Sequence, residues 1–145
     1  MSDFPLPDTN WEPTRRFWQA AAEGRLEVPR CAACGRYAWY PVERCKDCGG
    51  AELPWTPVSG RGTLFSFAVV RRAFVKELRE KQPYTTGLVA LDEDPAVRIA
   101  TLLVDCTPEE LRVDLPVRAV FRPLRFSHTP REVMAPMFVP ARAGA

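Results

Sequence analysis

Residues 31–50 read Cys31-Ala-Ala-Cys34-Gly35-Arg-Tyr-Ala-Trp-Tyr40-Pro-Val-Glu-Arg-Cys45-Lys-Asp-Cys48-Gly49-Gly50. Two Cys-x-x-Cys pairs stand ten residues apart, and glycine follows each. Each pair makes a tight knuckle that points two thiolates at one ion. The glycine lets the backbone turn under the sulfurs, where peptide N–H groups can reach them. Four sulfurs are the tetrahedral set that zinc prefers, and the spacing fits a rubredoxin-like ribbon. Iron suits the same sulfurs, and a lone Cys-x-x-Cys pair suits redox chemistry; two pairs together argue for a bound ion. With Cys31, Cys34, Cys45 and Cys48 all as ligands, no coordination position stays open. The expected ion is therefore one structural zinc per chain, replacing the core that about 30 residues cannot build alone.

Beyond the knuckles the pattern turns to strands. Trp55 and the turn-rich Pro57 to Gly62 lead into Thr63 to Val70, which is β-branched and aromatic. Tyr84 to Leu91 is a second run and Ala96 to Val104 a third, apolar in both alternating sets and so expected to be buried on both faces. Val117 to Pro123 is a fourth, and Pro136 to Val139 a short fifth expected on an edge. Between the third and fourth, Thr107-Pro108-Glu109-Glu110-Leu111 carries an N-cap, a first-turn proline and a capping-box acid. One helical turn at that place in a five-strand set implies an OB-fold, a partly open barrel.

N-terminal to the knuckles, residues 1–13 are proline-rich and read as extended. Residues 14–23 read as a short helix, opened near Pro13 and ended by Gly24. Phe17 with Ala21, and Trp18 with Ala22, lie one turn apart on one face, and Trp11 extends the stripe. So short a helix must dock on something, its own domain or a partner. The expected organisation is mainly β: extension and helix over 1–24, zinc ribbon over 25–56, OB-fold over 57–140, and a disordered tail over 141–145.

The 15 prolines among 145 residues argue for short strands and fixed turns rather than long helices. Net charge is +2, so the molecule as a whole is no polyanion binder. No apolar run approaches the roughly 20 residues of a membrane helix, and the N-terminus lacks the pattern of a signal peptide. A soluble cytoplasmic protein is expected, with reduced thiols. Charge is uneven: residues 57–81 carry six Lys/Arg and two Glu, and residues 92–110 carry six Asp/Glu and one Arg. The cations Arg71, Arg72 and Lys76 fall where OB-folds often bind ligands.

Little in the chain resembles catalytic equipment. His128, the one histidine, lies in a proline-flanked loop. Cys106 falls at a strand end with no acid or base signature beside it and reads as a buried, inert thiol. Asp92, Glu93 and Asp94 stand before Pro95 as a hairpin turn rather than a catalytic pair. There is no nucleophile elbow and no phosphate-binding glycine loop. The sequence argues against a self-sufficient enzyme.

Phe17-Trp18, the four cysteines, Pro41, Trp55, Gly60-Arg61-Gly62-Thr63, Pro83-Tyr84 and Leu115-Pro116-Val117 together closely resemble the DUF35 family of zinc-ribbon and OB-fold proteins associated with acyl-CoA. The likeness runs from about residue 14 to 124. It departs near Leu115, where the family usually carries glycine and Asp114 stands instead. Val75 to Gln82 looks like an elaborated loop before the second barrel strand.

The resemblance implies an accessory role beside a thiolase-like enzyme of the lipid-transfer-protein type, or a hydratase of the hot-dog fold. The partner supplies the catalytic groups, and the two chains form a hetero-oligomer that shares an acyl-CoA site. On that reading Arg71, Arg72 and Lys76 face the CoA phosphates, whose oxygens an arginine fork matches, although a solvated loop accounts for them equally. Trp11, Phe17 and Trp18 form the partner-binding stripe. A zinc-ribbon and OB-fold nucleic-acid module is the rival reading. The near-neutral charge and the acidic block at 92–110 stand against it.

Overall fold

A computed structural model describes residues 3–142. A turn of 3-10 helix at Glu12–Thr14 leads into helix α1 (Arg15–Ala22), and Gly24, at φ +77°, ends it in the left-handed conformation. Strands β1 (Leu26–Pro29) and β2 (Trp55–Val58) pair antiparallel, Leu26 opposite Val58 and Pro29 opposite Trp55, with the cysteine knuckles between them. The boundary expected between residues 56 and 57 thus falls inside a strand.

Five strands follow: β3 (Arg61–Val70), β4 (Tyr84–Leu91), β5 (Arg98–Leu103), β6 (Pro116–Arg125) and β7 (Glu132–Pro140). They close in the order β3-β4-β5-β7-β6, the OB-fold topology. The Pro108–Glu110 turn lies between β5 and β6 as expected, and the Thr107 N–H donates to Glu110 Oε2 at 2.7 Å.

Three expectations need correcting. The fifth strand is no short edge: β7 pairs with β6 from Arg125↔Glu132 to Val117↔Pro140 and meets β5 in parallel at Leu103↔Phe138, which closes the barrel. The β5 strand is not buried on both faces. Ile99 and Leu103 point into the core while Arg98 and Ala100 are exposed, because a closed barrel has only one interior. Residues 3–10 are not merely extended. Leu6 packs on Phe126 and Val133, Thr129 Oγ1 donates to Asp3 Oδ1 at 2.9 Å, and Arg131 donates to the Pro7 carbonyl at 3.0 Å. Of the tail expected to be disordered over 141–145, Ala141 donates its N–H to the Pro116 carbonyl at 2.9 Å and Arg142 pairs with Glu110, while residues 143–145 lie outside the described residues.

The larger of two hydrophobic clusters joins helix, ribbon and barrel; the smaller holds Leu6, Phe126 and Val133. Phe17, Leu26 and Val28 from the helix and ribbon join Leu64, Val89, Leu91, Val117 and Phe138 from the barrel in a single cluster. Helix α1 lies against β1 and β7, so the ribbon is welded to the barrel rather than tethered beside it. The glycines of Gly60-Arg61-Gly62-Thr63 have steric reasons. Gly60 sits at φ +80°, and a Cβ on Gly62 would collide with the Ala90 carbonyl and with Val89 Cγ1.

Candidate metal centre and flanking surfaces

The two knuckles are built alike. The Gly35 N–H donates to the Cys31 carbonyl at 2.8 Å and the Gly49 N–H to the Cys45 carbonyl at 2.8 Å, with both glycines at φ +78°. Each turn aims its sulfurs at a common point, and the four Sγ atoms lie within 4.8 Å of one another. Cys31 Sγ is 3.5 Å from Cys48 Sγ, and Cys34 Sγ is 3.6 Å from Cys45 Sγ. Those separations are far too long for a disulfide. They match the roughly 3.8 Å between sulfurs set tetrahedrally about 2.3 Å from one zinc. Backbone amides reach the sulfurs: the Gly50 N–H lies 3.4 Å from Cys48 Sγ. The Cys34 and Ala33 N–H groups outweigh the effect of burial on Cys31 and hold its thiol down to about 7. Gly50, the second glycine after Cys48, is held more tightly still. A Cβ there would stand 3.0 Å from Cys31 Sγ and 3.3 Å from Cys48 Sγ.

The aromatic stripe divides. Phe17 is buried in the core with its ring tilted against Trp39 at 4.7 Å between centroids, so its expected role as partner surface is corrected to a packing role. Trp18 is half-buried against both core clusters. Trp11 is exposed and stacks on exposed Tyr40 at 6.1 Å. The helix docks on its own domain through Phe17, Ala20 and Ala21, which leaves Trp11, Tyr40 and Val42 as the apolar surface beside the ribbon.

Arg71, Arg72 and Lys76 lie together in the β3–β4 loop, all exposed, and none has a hydrogen-bond or ion-pair partner among the described residues. The loop is held in shape by the Ala73 N–H, which donates to Gln82 Oε1 at 2.8 Å. Beneath it a pocket of about 380 Å³ opens between Leu78, Tyr84, Leu103, Phe126 and Met137 at the same end of the barrel.

The remaining polar candidates have structural partners. Asp94 and Glu93, in the β4–β5 turn, accept hydrogen bonds from the Tyr37 and Ser59 N–H groups at 3.3 and 2.6 Å. His128 meets the Phe4 carbonyl at 2.7 Å and pins the N-terminal segment. Burial, with the Glu110 charge, pushes the half-buried Cys106 thiol up, which disfavours the reactive thiolate. Among the described residues no helix is long and apolar enough to cross a membrane.

Comparison with known proteins agrees with this architecture. Residues 18–54 match the family described as "ChsH2, rubredoxin-like zinc ribbon domain", and residues 55–122 match "ChsH2, C-terminal OB-fold domain". The chain is similar to a "DUF35 domain-containing scaffold protein" of Methanocaldococcus jannaschii, 32% identical over 66% of this chain and 67% of that one. It is 31% identical over 94% of its length to a "Probable enoyl-CoA hydratase alpha subunit" of Thermomonospora curvata, but spans only 40% of that relative. It is 34% identical to the "Benzoylsuccinyl-CoA thiolase subunit BbsA" of Thauera aromatica, over 52% of this chain and 53% of that one. Among solved structures, a chain of the "Ltp2-ChsH2(DUF35) aldolase" superposes with a TM-score of 0.76 at 25% identity, covering 92% of this chain and 98% of that one. The four gathered cysteines are accordingly those of a ribbon suited to one structural zinc. With its ribbon, its closed barrel and these relatives, the chain belongs to the DUF35 family.

Proposed function

We propose that this chain is a non-catalytic accessory subunit that binds a thiolase-like enzyme and helps form its acyl-CoA site for carbon–carbon bond formation or cleavage. The observation that carries the reading is the superposition on nearly the whole of a chain of the Ltp2-ChsH2(DUF35) aldolase. The BbsA thiolase subunit supports the same class of partner, and the scaffold proteins support the accessory role. In this reading Cys31, Cys34, Cys45 and Cys48 hold one zinc that fixes the ribbon, and Trp11 beside Tyr40 gives the partner an aromatic anchor. Arg71, Arg72 and Lys76 meet the phosphates of CoA, for which they are free. The hydratase-subunit relative favours a second reading, an enoyl-CoA hydratase as partner, over the same surfaces.

Co-expression with a thiolase-like protein or a hydratase, each assayed on acyl-CoA thioesters, tests both. The expected result is a stable complex with one of them, turnover by the complex, and none by this chain alone. Arg71→Ala with Arg72→Ala is expected to raise KM for acyl-CoA and not for a truncated thioester lacking the nucleotide, with assembly intact. Full turnover by the isolated chain overturns the accessory role, and an unchanged KM overturns the phosphate contacts.

A further inference from the structure

Phe74 stands at the tip of the β3–β4 loop with 94% of its surface exposed, and Val75 beside it is exposed as well. A slack loop would fold such a ring back onto the barrel. This loop is not slack. Ala73 is buried, and its N–H is fixed by Gln82. Leu78, four residues on, packs against the cluster of Leu6, Phe126 and Val133. Glu80 takes the Ser127 hydroxyl at 2.7 Å and the Ser127 N–H at 3.1 Å, which ties the loop to the β6–β7 connection. The loop therefore buries Leu78, turns Phe74 outward, and has already lost much of the freedom that binding would cost. In the sequence Phe74 stands between Arg71-Arg72 and Lys76, all exposed.

We infer that Phe74 is an anchor that enters an apolar socket on the enzyme subunit, at the edge of the CoA entrance, so that bound CoA tightens the assembly. The inference rests on the accessory-subunit reading and specifies where the subunits lock. Charge selects the occupant. The exposed cations on either side of Phe74 in the loop, without a partner among the described residues, complement an enzyme surface that carries the CoA phosphates. A lipid surface fits less well, because the tip offers a single large ring and Glu77 follows Lys76. If the cations bind CoA more firmly within the complex, CoA must by reciprocity strengthen the complex.

The test uses the full chain and the thiolase-like subunit with which it co-purifies, with the dissociation constant measured with and without saturating CoA. Wild type is expected to bind several-fold more tightly with CoA. Phe74→Ser is expected to weaken binding about 10- to 100-fold under both conditions, with an unchanged melting temperature. Arg71→Ala with Arg72→Ala is expected to abolish the CoA effect while leaving the CoA-free constant within two-fold. A complex whose constant is unmoved by Phe74→Ser overturns the anchor and leaves the accessory role standing. Failure of the wild-type chain to form any such complex overturns both. Binding of wild type to vesicles containing phosphatidylglycerol, lost in Phe74→Ser while assembly is unaffected, assigns the tip to a membrane and overturns the proposal.

Discussion

The carboxylate of Asp94, in the barrel, lies 3.3 Å from the guanidinium Nε of Arg36, in the ribbon, and the same oxygen accepts the Tyr37 N–H at 3.3 Å. The other oxygen accepts the Ala96 N–H at 3.2 Å and shapes the β4–β5 turn. One nearly buried side chain thus closes a hairpin and fastens the zinc ribbon to it. Asp94→Ala leaves the Tyr37 donor without its partner, a loss of about 1–3 kcal/mol. Hydrogen exchange at the Tyr37 amide is expected to quicken before global unfolding; an unchanged rate would show that this contact does not hold the ribbon in place.

The zinc site should be sensitive to a residue that is not a ligand. Purified chain is expected to hold about one zinc, and Cys34→Ser to lose it together with much of the ribbon's stability. Gly50→Ala keeps all four sulfurs but pushes a methyl group to 3.0 Å from Cys31 Sγ. Metal analysis and chelator competition should show weaker retention in this variant. Retention equal to wild type would mean that the knuckle gives way more easily than the geometry implies.

Glu27 in β1 is buried and forked by Arg16 at 3.0 Å, with Arg25 at 3.1 Å. Burial pushes its carboxyl up, yet the hydrogen bonds from Arg16 and Arg25 outweigh that and hold it below the ordinary value of 4.5. A lowered folded-state value adds stability that is fully present above the unfolded value and lost as pH falls through the folded one. Glu27→Gln is therefore expected to cost about 1–3 kcal/mol at neutral pH. The gap to wild type should close as pH drops below about 4.5. Taking the difference between the two proteins cancels any acid release of zinc that they share. A gap that stays constant to acid pH would refute the ionic origin.

Asp114 takes φ +68°, the left-handed conformation that glycine adopts without steric cost, and its N–H donates to the Leu64 carbonyl at 2.8 Å. Aspartate tolerates this region better than most residues. Asp114→Gly is expected to be neutral or stabilising by up to about 1 kcal/mol, and Asp114→Val to destabilise by more than that. Chemical denaturation of both variants checks the order; the reverse order would place the strain elsewhere.

Much of the architecture was legible because its signals are local. Knuckle spacing, the Thr107–Glu110 capping box and the strand runs each depend on residues a few positions apart. Asp114, where the sequence departs from the pattern it resembles, stands in the left-handed backbone conformation that favours glycine. The aromatic stripe was misjudged in part because one-turn spacing puts Phe17 and Trp11 in the same pattern. It cannot say that one side of the stripe faces Trp39 and the barrel while Trp11 extends past them to Tyr40. Pro136 to Val139 looked like an edge because proline usually sits there, whereas the strand runs on at both ends and closes the sheet.

The sequence by itself determined the ligand set, the short helix, the OB order of strands and the likeness to DUF35, since each is written in neighbouring residues. Only the tertiary structure decided that β7 seals the barrel through Leu103↔Phe138, that Asp94 fastens ribbon to barrel, and that the β3–β4 loop buries Leu78 and turns Phe74 outward. Those outcomes come from packing and hydrogen bonds between residues 35 to 72 positions apart, from Leu103↔Phe138 to Leu6 with Leu78, and local pattern carries no record of which distant surface a side chain will meet.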